Sequence, residues 1–362
     1  MTRILHTSDI LLGEGFPRFH NAADKLRTAR LESLRALLAL ARREEVEAVV
    51  IAGNLFADNR VGASLVGEAA QLLTKSPVPV YLLPGHRDPI TPDSPYQLYR
   101  EKFRGQVHLM LAREPVVLAG GAVLYPCPVE YRLASGDPTR WIPERGKERL
   151  RLAVVNTAPE GYRLIPSVAD TRDLDHLLVG GRVSAGTEGS VTYPGAPEAT
   201  DFGQRAGSVA LVQFSAAGLA SVEERTVAGL RWVEESIEVA SAEDVEQLVK
   251  RLSGDENRAS LLLRLTLGGR LGVDQLAAVT NARRALEARL FHLELRDEIV
   301  PVAEGLSRNP LLRSLTSTLT AQASTPSEHD RDGIAPEDAE FARQALVQLV
   351  RLLETAHHQD LK

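Results

Sequence analysis

Polar residues stand directly after apolar, strand-like runs at several points of this chain. Asp9 follows the run Ile4–Thr7, and Asn54 follows the run Val49–Ala52. The residues at these strand ends that bear on chemistry are Asp9, Leu11, Asn54, His86, Arg87, Asn156, Arg182 and Ser184. Because the turns that follow neighbouring strands meet at one edge of a sheet, we expect these positions to surround one cleft.

The order of these segments is typical of a site for two divalent metals, which hydrolyses phosphoesters. Two such ions clamp the attacking and leaving oxygens, and they need a bridging carboxylate with imidazole, carboxylate and amide ligands. Here Leu11 stands where a histidine ligand is needed, and Asn54 stands where the bridging carboxylate is needed. Arg182 and Ser184 replace a pair of histidines, and arginine has no acceptor lone pair for a metal. The sequence therefore predicts a retained scaffold with a degenerate metal site.

The segments Ile4–Asp9, Ile51–Phe56 and Pro84–Asp88, with Tyr193–Glu198 and Asp201–Gly203, carry a family resemblance. The chain resembles the SbcD-type nuclease subunit of the bacterial SbcC–SbcD DNA-repair complex, a calcineurin-like metallophosphoesterase, from residue 1 to about 300. The resemblance implies an α/β fold: a four-layer β-sandwich with flanking helices, a small α/β capping domain and a C-terminal helix. Of the metal ligands that it implies, only Asp9 is kept, and the histidine that assists at the scissile phosphate falls at Arg87.

Composition is that of a large globular protein, with 362 residues, a net charge of −6 and one cysteine. The chain shows no signal segment and no apolar run that could span a bilayer, so we expect a cytoplasmic protein without membrane contact. The negative charge offers no general attraction to nucleic acid. A local group of basic residues lies between Arg132 and Arg151. It is either a solvated charged loop or a rim that contacts DNA.

Changes in composition predict four segments. Residues 1–235 are expected to form the metallophosphoesterase-like domain, since they alternate apolar runs with helical segments in a β-α-β pattern. Residues 236–300 are expected to form the capping domain. Residues 301–333 are expected to be a short helix and a linker, and residues 334–362 a C-terminal helix that opens with proline and acidic residues.

That last helix has a broad apolar face. Its candidate partner-binding residues are Phe341, Leu346, Leu349, Leu352 and Leu353. The resemblance implies that C-terminal helices bind an SbcC-like coiled-coil ATPase. The same face could instead pack on the capping domain or on a second copy of this chain. The resemblance also implies that a homodimer could form through Val61–Leu73 and Ser94–Phe103.

Three functions remain open. The first is a non-catalytic scaffold subunit for the ATPase, with DNA as a further candidate partner and no cofactor. The second is an active nuclease or phosphodiesterase that holds one manganese or zinc ion with Asp9, Asn54, His86 and Asn156. The third is a stand-alone regulatory protein that binds a nucleotide or phosphate in an arginine-lined cleft.

The two arginines at the strand ends are central to these alternatives. We expect Arg87, Arg182 or both to pair with Asp9 and Asp88 in place of the metals, because unpaired buried charge is costly. The other possibilities are that both arginines point to solvent, or that they bind phosphate.

Overall fold

The structure is a computed structural model of the whole chain. It describes residues 1–130, 137–157, 169, 172–215, 218–272, 275–302, 310–323, 341–342 and 344–349. These divide into two compact units, Met1–Leu230 and Arg231–Lys362. Among the described helices, none is both long enough and apolar enough to cross a membrane.

The first unit contains two six-stranded sheets. The strands of the first sheet, in spatial order, are β12 (Gly218–Thr226), β11 (Ser208–Ser215), β1 (Thr2–Thr7), β2 (Ala48–Ala52), β3 (Val80–Leu83) and β4 (Val107–Leu109). The neighbours from β1 to β4 are parallel, whereas β11 is antiparallel to both of its neighbours. The central strands β2 and β3 are continuously apolar and buried, as expected of strands that are covered on both faces.

The second sheet has the same mixed character. Its strands, in spatial order, are β5 (Val116–Val117), β6 (Ala122–Cys127), β7 (Leu150–Asn156), β8 (His176–Gly180), β10 (Val191–Pro194) and β9 (Ala185–Glu188). The pairs β6–β7, β7–β8 and β8–β10 are parallel. Cys127, at the end of β6, is buried and unpaired, and burial raises the pKa of its thiol to about 12.

The sheets stack face to face, and helices cover the outer side of the first sheet. The helices of this unit are α1 (Ala23–Arg43), α2 (Ala63–Thr74) and the short α3 (Pro95–Leu98). Alternation along β1 sends Ile4 into the core between the sheets and Leu5 into the core beneath α1 and α2. A further apolar cluster covers the outer side of the second sheet, where Trp141 packs on Tyr125. The predicted mixed α/β fold is confirmed.

The second unit is a smaller parallel sheet with helices. Its strands are β13 (Arg231–Val239), β14 (Leu261–Gly272), β15 (His292–Asp297) and β16 (Val300–Val302). Its helices are α4 (Ala242–Ser253), α5 (Leu276–Glu287) and α6 (Pro310–Ala323). A capping box between Ser241 and Asp244 begins α4. Residue 235, the predicted domain boundary, lies inside β13.

The tail is described only in part. Residues 341–342 and 344–349 are helical, and the side chain of Leu346 is 0% exposed whereas that of Phe341 is 73% exposed. Leu349 is half-buried. Leu352 and Leu353, and most of the predicted linker, lie outside the described residues.

Candidate functional site

The strand ends singled out by their sequence lie at one edge of the two sheets. Asp9 follows β1, Asn54 follows β2, and His86 follows β3, and these three strands are parallel neighbours. Asn156 ends β7 in the facing sheet, beside the end of β8 at Gly180. The structure brings Asp9, Asn54, His86 and Asn156 into one hydrogen-bonded group.

Asp9 is nearly buried, and both of its carboxylate oxygens are occupied. The amide Nδ2 of Asn54 donates to Oδ1 at 2.7 Å. The backbone N–H of Gly181, after β8, donates to Oδ2 at 2.9 Å, and the hydroxyl of Ser8 donates to the same oxygen at 2.6 Å. Asp9 therefore joins the loops after β1, β2 and β8.

The surroundings of Asn54 fix the orientation of its amide. Its Oδ1 accepts from the backbone N–H of Arg87 at 3.0 Å, so that its Nδ2 must face Asp9. The side chain is 0% exposed. At the position where a bridging carboxylate would accept two cations, Asn54 thus presents N–H donors.

His86 and Asn156 fix each other in the same way. Oδ1 of Asn156 accepts from the backbone N–H of His86 at 3.0 Å, and its Nδ2 donates to the carbonyl of Ala52 at 2.7 Å. Nδ1 of His86 lies 2.8 Å from that same Oδ1 and must therefore be the protonated ring nitrogen. The 3.4 Å approach of Asn54 Nδ2 to Nδ1 then joins two donors and is not a hydrogen bond. Only Nε2 of this imidazole keeps a lone pair in its neutral form.

Close backbone approach makes this network possible. A Cβ at Gly85 would lie 2.2 Å from Oδ1 of Asn54, and one at Gly180 would lie 2.0 Å from the carbonyl oxygen of Ala52. Asp9, Leu11 and Asn54 all have positive φ angles, of 56°, 52° and 58°. Such angles are uncommon for side chains with a Cβ and cluster at functional sites.

Residues 2–153 match the family model of the calcineurin-like phosphoesterases. The first unit contains a calcineurin-like phosphoesterase domain. Among solved structures, TT1561 of Thermus thermophilus is similar at 17% identity, covering 62% of this chain and 99% of that chain, with a TM-score of 0.41. A second solved structure is 11% identical, covers 62% of this chain and 98% of its own, and has a TM-score of 0.42. No curated protein matches the chain.

The donor set of this phosphoesterase domain does not suit the two metals that its family implies. Asp9 is the only carboxylate in the hydrogen-bonded group, and both of its oxygens already accept hydrogen bonds. Asn54 points its amide N–H groups at the carboxylate of Asp9, and the side chain of Leu11 has no atom that could bind a metal. Among the described residues, no cluster of three or more His, Cys, Asp or Glu could hold a metal ion.

The expectation that arginines replace the metals beside Asp9 and Asp88 is wrong. Arg87 donates to Glu14 at 2.7 Å and to the carbonyl of Ala57 at 3.0 Å. Arg182 pairs with Glu188 at 2.7 Å and lies over the ring of Tyr193, 4.8 Å from its centroid. Both guanidinium groups therefore bind carboxylates outside the network. Ser184 is half-buried.

Asp88 is held by neutral donors instead of by arginine. The backbone N–H groups of Asn54, Gly85 and Phe56 donate to it at 3.0, 2.7 and 2.9 Å, and so does the hydroxyl of Tyr96. Burial raises the pKa of Asp88 to about 6 in spite of these donors. Asp88 therefore joins the loops after β2 and β3 through these hydrogen bonds. Sequence reasoning missed Tyr96, although Ser94–Pro95 before it is a typical helix start.

The motif Tyr193–Glu198 also has a structural role that the sequence did not reveal. Glu198 is buried and accepts from Ser33 at 3.0 Å and from the backbone N–H of Gly229 at 2.6 Å. Buried Arg30 on α1 donates to the carbonyls of Ile10 at 2.7 Å and of Ala199 at 3.0 Å. These contacts tie the loop after β1 to the motif through α1.

Two of the basic residues between 132 and 151 are engaged within the protein. Arg145 pairs with Asp173 and Asp175, each at 3.0 Å. Arg151 is buried, lies over the ring of Tyr125 and donates to the carbonyl of Pro143. Arg132 lies outside the described residues.

Proposed function

We propose that this chain is a non-catalytic, SbcD-like subunit whose phosphoesterase domain serves as a scaffold for an SbcC-like coiled-coil ATPase in DNA repair. The observation that carries the non-catalytic part is the closed network of Asp9, Asn54, His86 and Asn156. The motifs Tyr193–Glu198 and Asp201–Gly203 support the SbcD-like part.

The network opposes metal binding through specific atoms. A cation at Asp9 would have to displace the amide of Asn54, whose Oδ1 is held by the backbone N–H of Arg87. Turning that amide would aim Nδ2 at the same N–H and leave two buried donors facing each other. A buried group without its partner costs roughly 1–3 kcal/mol. This cost opposes the binding of a cation between Asp9 and Asn54.

The same atoms bear on the two alternatives. A single-metal enzyme would use Asp9, Asn54, His86 and Asn156, which do lie together. However, Nε2 of His86 is the one ligand atom among them that takes part in no hydrogen bond of the network, and the oxygens of Asp9, Asn54 and Asn156 all accept hydrogen bonds there. A phosphate site would need Arg87 and Arg182, which are engaged by Glu14 and Glu188.

The catalytic question is tested by measuring bound metals and manganese-dependent cleavage of linear DNA by the purified protein. We expect no stoichiometric metal and no cleavage above background. The variant that carries Leu11→His, Asn54→Asp, Arg182→His and Ser184→His should bind manganese before it regains activity. Wild-type cleavage that Asp9→Ala abolishes would establish the nuclease alternative instead.

The proposed binding of an ATPase is tested at the C-terminal helix, where some apolar side chains are exposed and others are buried. Phe341 is exposed, so Phe341→Glu should prevent co-purification with a coiled-coil ATPase and leave the melting temperature unchanged. Leu346 is buried, so Leu346→Glu should lower the melting temperature. Undiminished co-purification of the Phe341→Glu variant would exclude this face as the binding surface.

A further inference from the structure

The surface of the first unit carries a basic groove beside α2. Its volume is about 470 Å³. The lining residues are Gly67, Ala70, Gln71, Thr74, Lys75, Glu101, Lys102 and Arg104. None of them belongs to the hydrogen-bonded group around Asp9.

Small residues line one side of this groove. Gly67, Ala70, Gln71 and Thr74 recur at helical spacing and so share one face of α2. A Cβ at Gly67 would meet no atom nearer than Nζ of Lys102, at 3.9 Å. The segment Glu101–Arg104 supplies further lining residues, and the chain turns after it at Gly105, whose φ of 61° suits glycine.

The charges of this groove are unbalanced. Lys75, Lys102 and Arg104 face a single acid, Glu101. The Nε of Arg104 donates a hydrogen bond to the backbone carbonyl of Glu101. The Nζ of Lys102 lies 5.9 Å from the ring centroid of Tyr99. Within the described part of the chain, none of the three cations forms a salt bridge. The neighbouring Arg35, by contrast, pairs with Glu32 and Glu68.

We propose that this groove binds a phosphate-rich anion. Ammonium groups act as point charges for phosphate oxygens, and the remaining guanidinium N–H groups of Arg104 can donate to two of them. The volume lies within the usual range for small-molecule sites, and like charges along a cleft concentrate anions there. The groove therefore carries a local excess of positive charge in a chain whose net charge is −6.

Isothermal titration with inorganic tripolyphosphate in low salt tests this proposal, with a labelled single-stranded oligonucleotide in a parallel arm. The double variant Lys102→Gln, Arg104→Gln should weaken the binding of both probes by roughly tenfold. For the oligonucleotide, the slope of the logarithm of the binding constant against the logarithm of the salt concentration should become shallower by about 0.7 for each lost phosphate contact. Gly67→Glu should weaken binding as well, because it keeps every cation but places a carboxylate in the groove. It should also fold, since glutamate favours a helix more than glycine does.

The matched control is Lys250→Gln, Arg283→Gln, which removes the same charge from exposed positions of the second unit, outside the groove. It should change the affinity by less than about twofold if the contact is local. Groove-dependent binding of tripolyphosphate would identify a small polyphosphate ligand, whereas groove-dependent binding of the oligonucleotide alone would identify a nucleic-acid backbone. Equal losses in the control and groove variants, or no binding of either probe by the wild type, would overturn the proposal.

Discussion

Two buried histidines between the sheets should make the first unit acid-sensitive. His6 on β1 and His176 on β8 are both 0% exposed. Neither ring nitrogen of His6 has a hydrogen-bond partner among the described residues, while Nε2 of His176 lies 2.7 Å from the hydroxyl of Thr192. Burial lowers the pKa of His6 to about 3, with a further contribution from His176, and burial lowers the pKa of His176 to about 4.

The sign and size of the effect follow from proton linkage. Each histidine has a pKa of about 6.5 in the unfolded chain. Below that pH the unfolded chain therefore binds a proton at each histidine, whereas the folded chain does not. The free energy of unfolding therefore decreases as the pH falls below about 6.5, by about 1.4 kcal/mol for each histidine and each pH unit. Between pH 7 and pH 4.5, His6 alone should cost about 3 kcal/mol.

Asp88 acts in the opposite direction. Its pKa in the folded state is raised to about 6, so the folded state takes up a proton more readily than the unfolded chain as the pH falls. The stability that it contributes is present at low pH and is lost as the pH rises through 6. The acid dependence of the wild type alone therefore mixes terms of both signs, and the difference from a histidine variant is the informative quantity.

His6→Leu isolates the histidine contribution, because the leucine fills a similar apolar space and titrates nothing. Urea unfolding should be followed from pH 7 to pH 4.5 by the fluorescence of Trp141, in a Trp232→Phe background that silences the second unit. We expect the free energy of unfolding of the variant, relative to that of its parent, to rise by about 3 kcal/mol as the pH falls from 7 to 4.5. His108→Leu, at an exposed histidine, is the control and should show no such rise. Parallel curves for His6→Leu and its parent would refute the reasoning.

Three further substitutions test the candidate site. Leu11→Asn should stabilise the fold by roughly 1 kcal/mol in thermal unfolding, because asparagine tolerates the left-handed backbone that strains leucine here; an unchanged or lower melting temperature would contradict this. Tyr96→Phe should cost about 1–3 kcal/mol in urea unfolding, because it removes a buried donor to Asp88, and a neutral result would show that the hydroxyl is dispensable. Asn54→Asp alone should destabilise at neutral pH, since it replaces the 2.7 Å donor contact to Asp9 by two facing carboxylates; equal melting temperatures at pH 7 and at pH 4 would argue against this charge repulsion.

Sequence patterns located the strand ends of the first unit because its central strands are unusually apolar. The run Val49–Ala52 lies within a fully buried strand, and such runs determine where the following loop begins. The strand β13 was missed because it alternates. Val233, Ile237 and Val239 contribute to the apolar cluster of the second unit, and exposed glutamates stand between them. Its period of two was the available signal.

The partners of the arginines were beyond sequence reasoning for a different reason. Glu14 lies on a loop and Glu188 ends the short strand β9, and neither segment has a periodic apolar pattern. Only the fold places them beside Arg87 and Arg182. The same holds for Glu198, whose contact with Ser33 spans distant parts of the chain.

The substitutions at the strand ends have a common physical effect on how the loops are held. A metal centre links neighbouring loops through shared cations, and losing those cations would leave the loops joined only by their flanking strands. Here Asn54 joins the loop after β2 to Asp9, and Asn156 joins the end of β7 to His86 and to the carbonyl of Ala52. Each amide supplies a donor and an acceptor on the same side chain, so it can bridge two loops without bringing a charge. The loops therefore keep their close approach through uncharged side chains, whose donors and acceptors are used to hold the loops together.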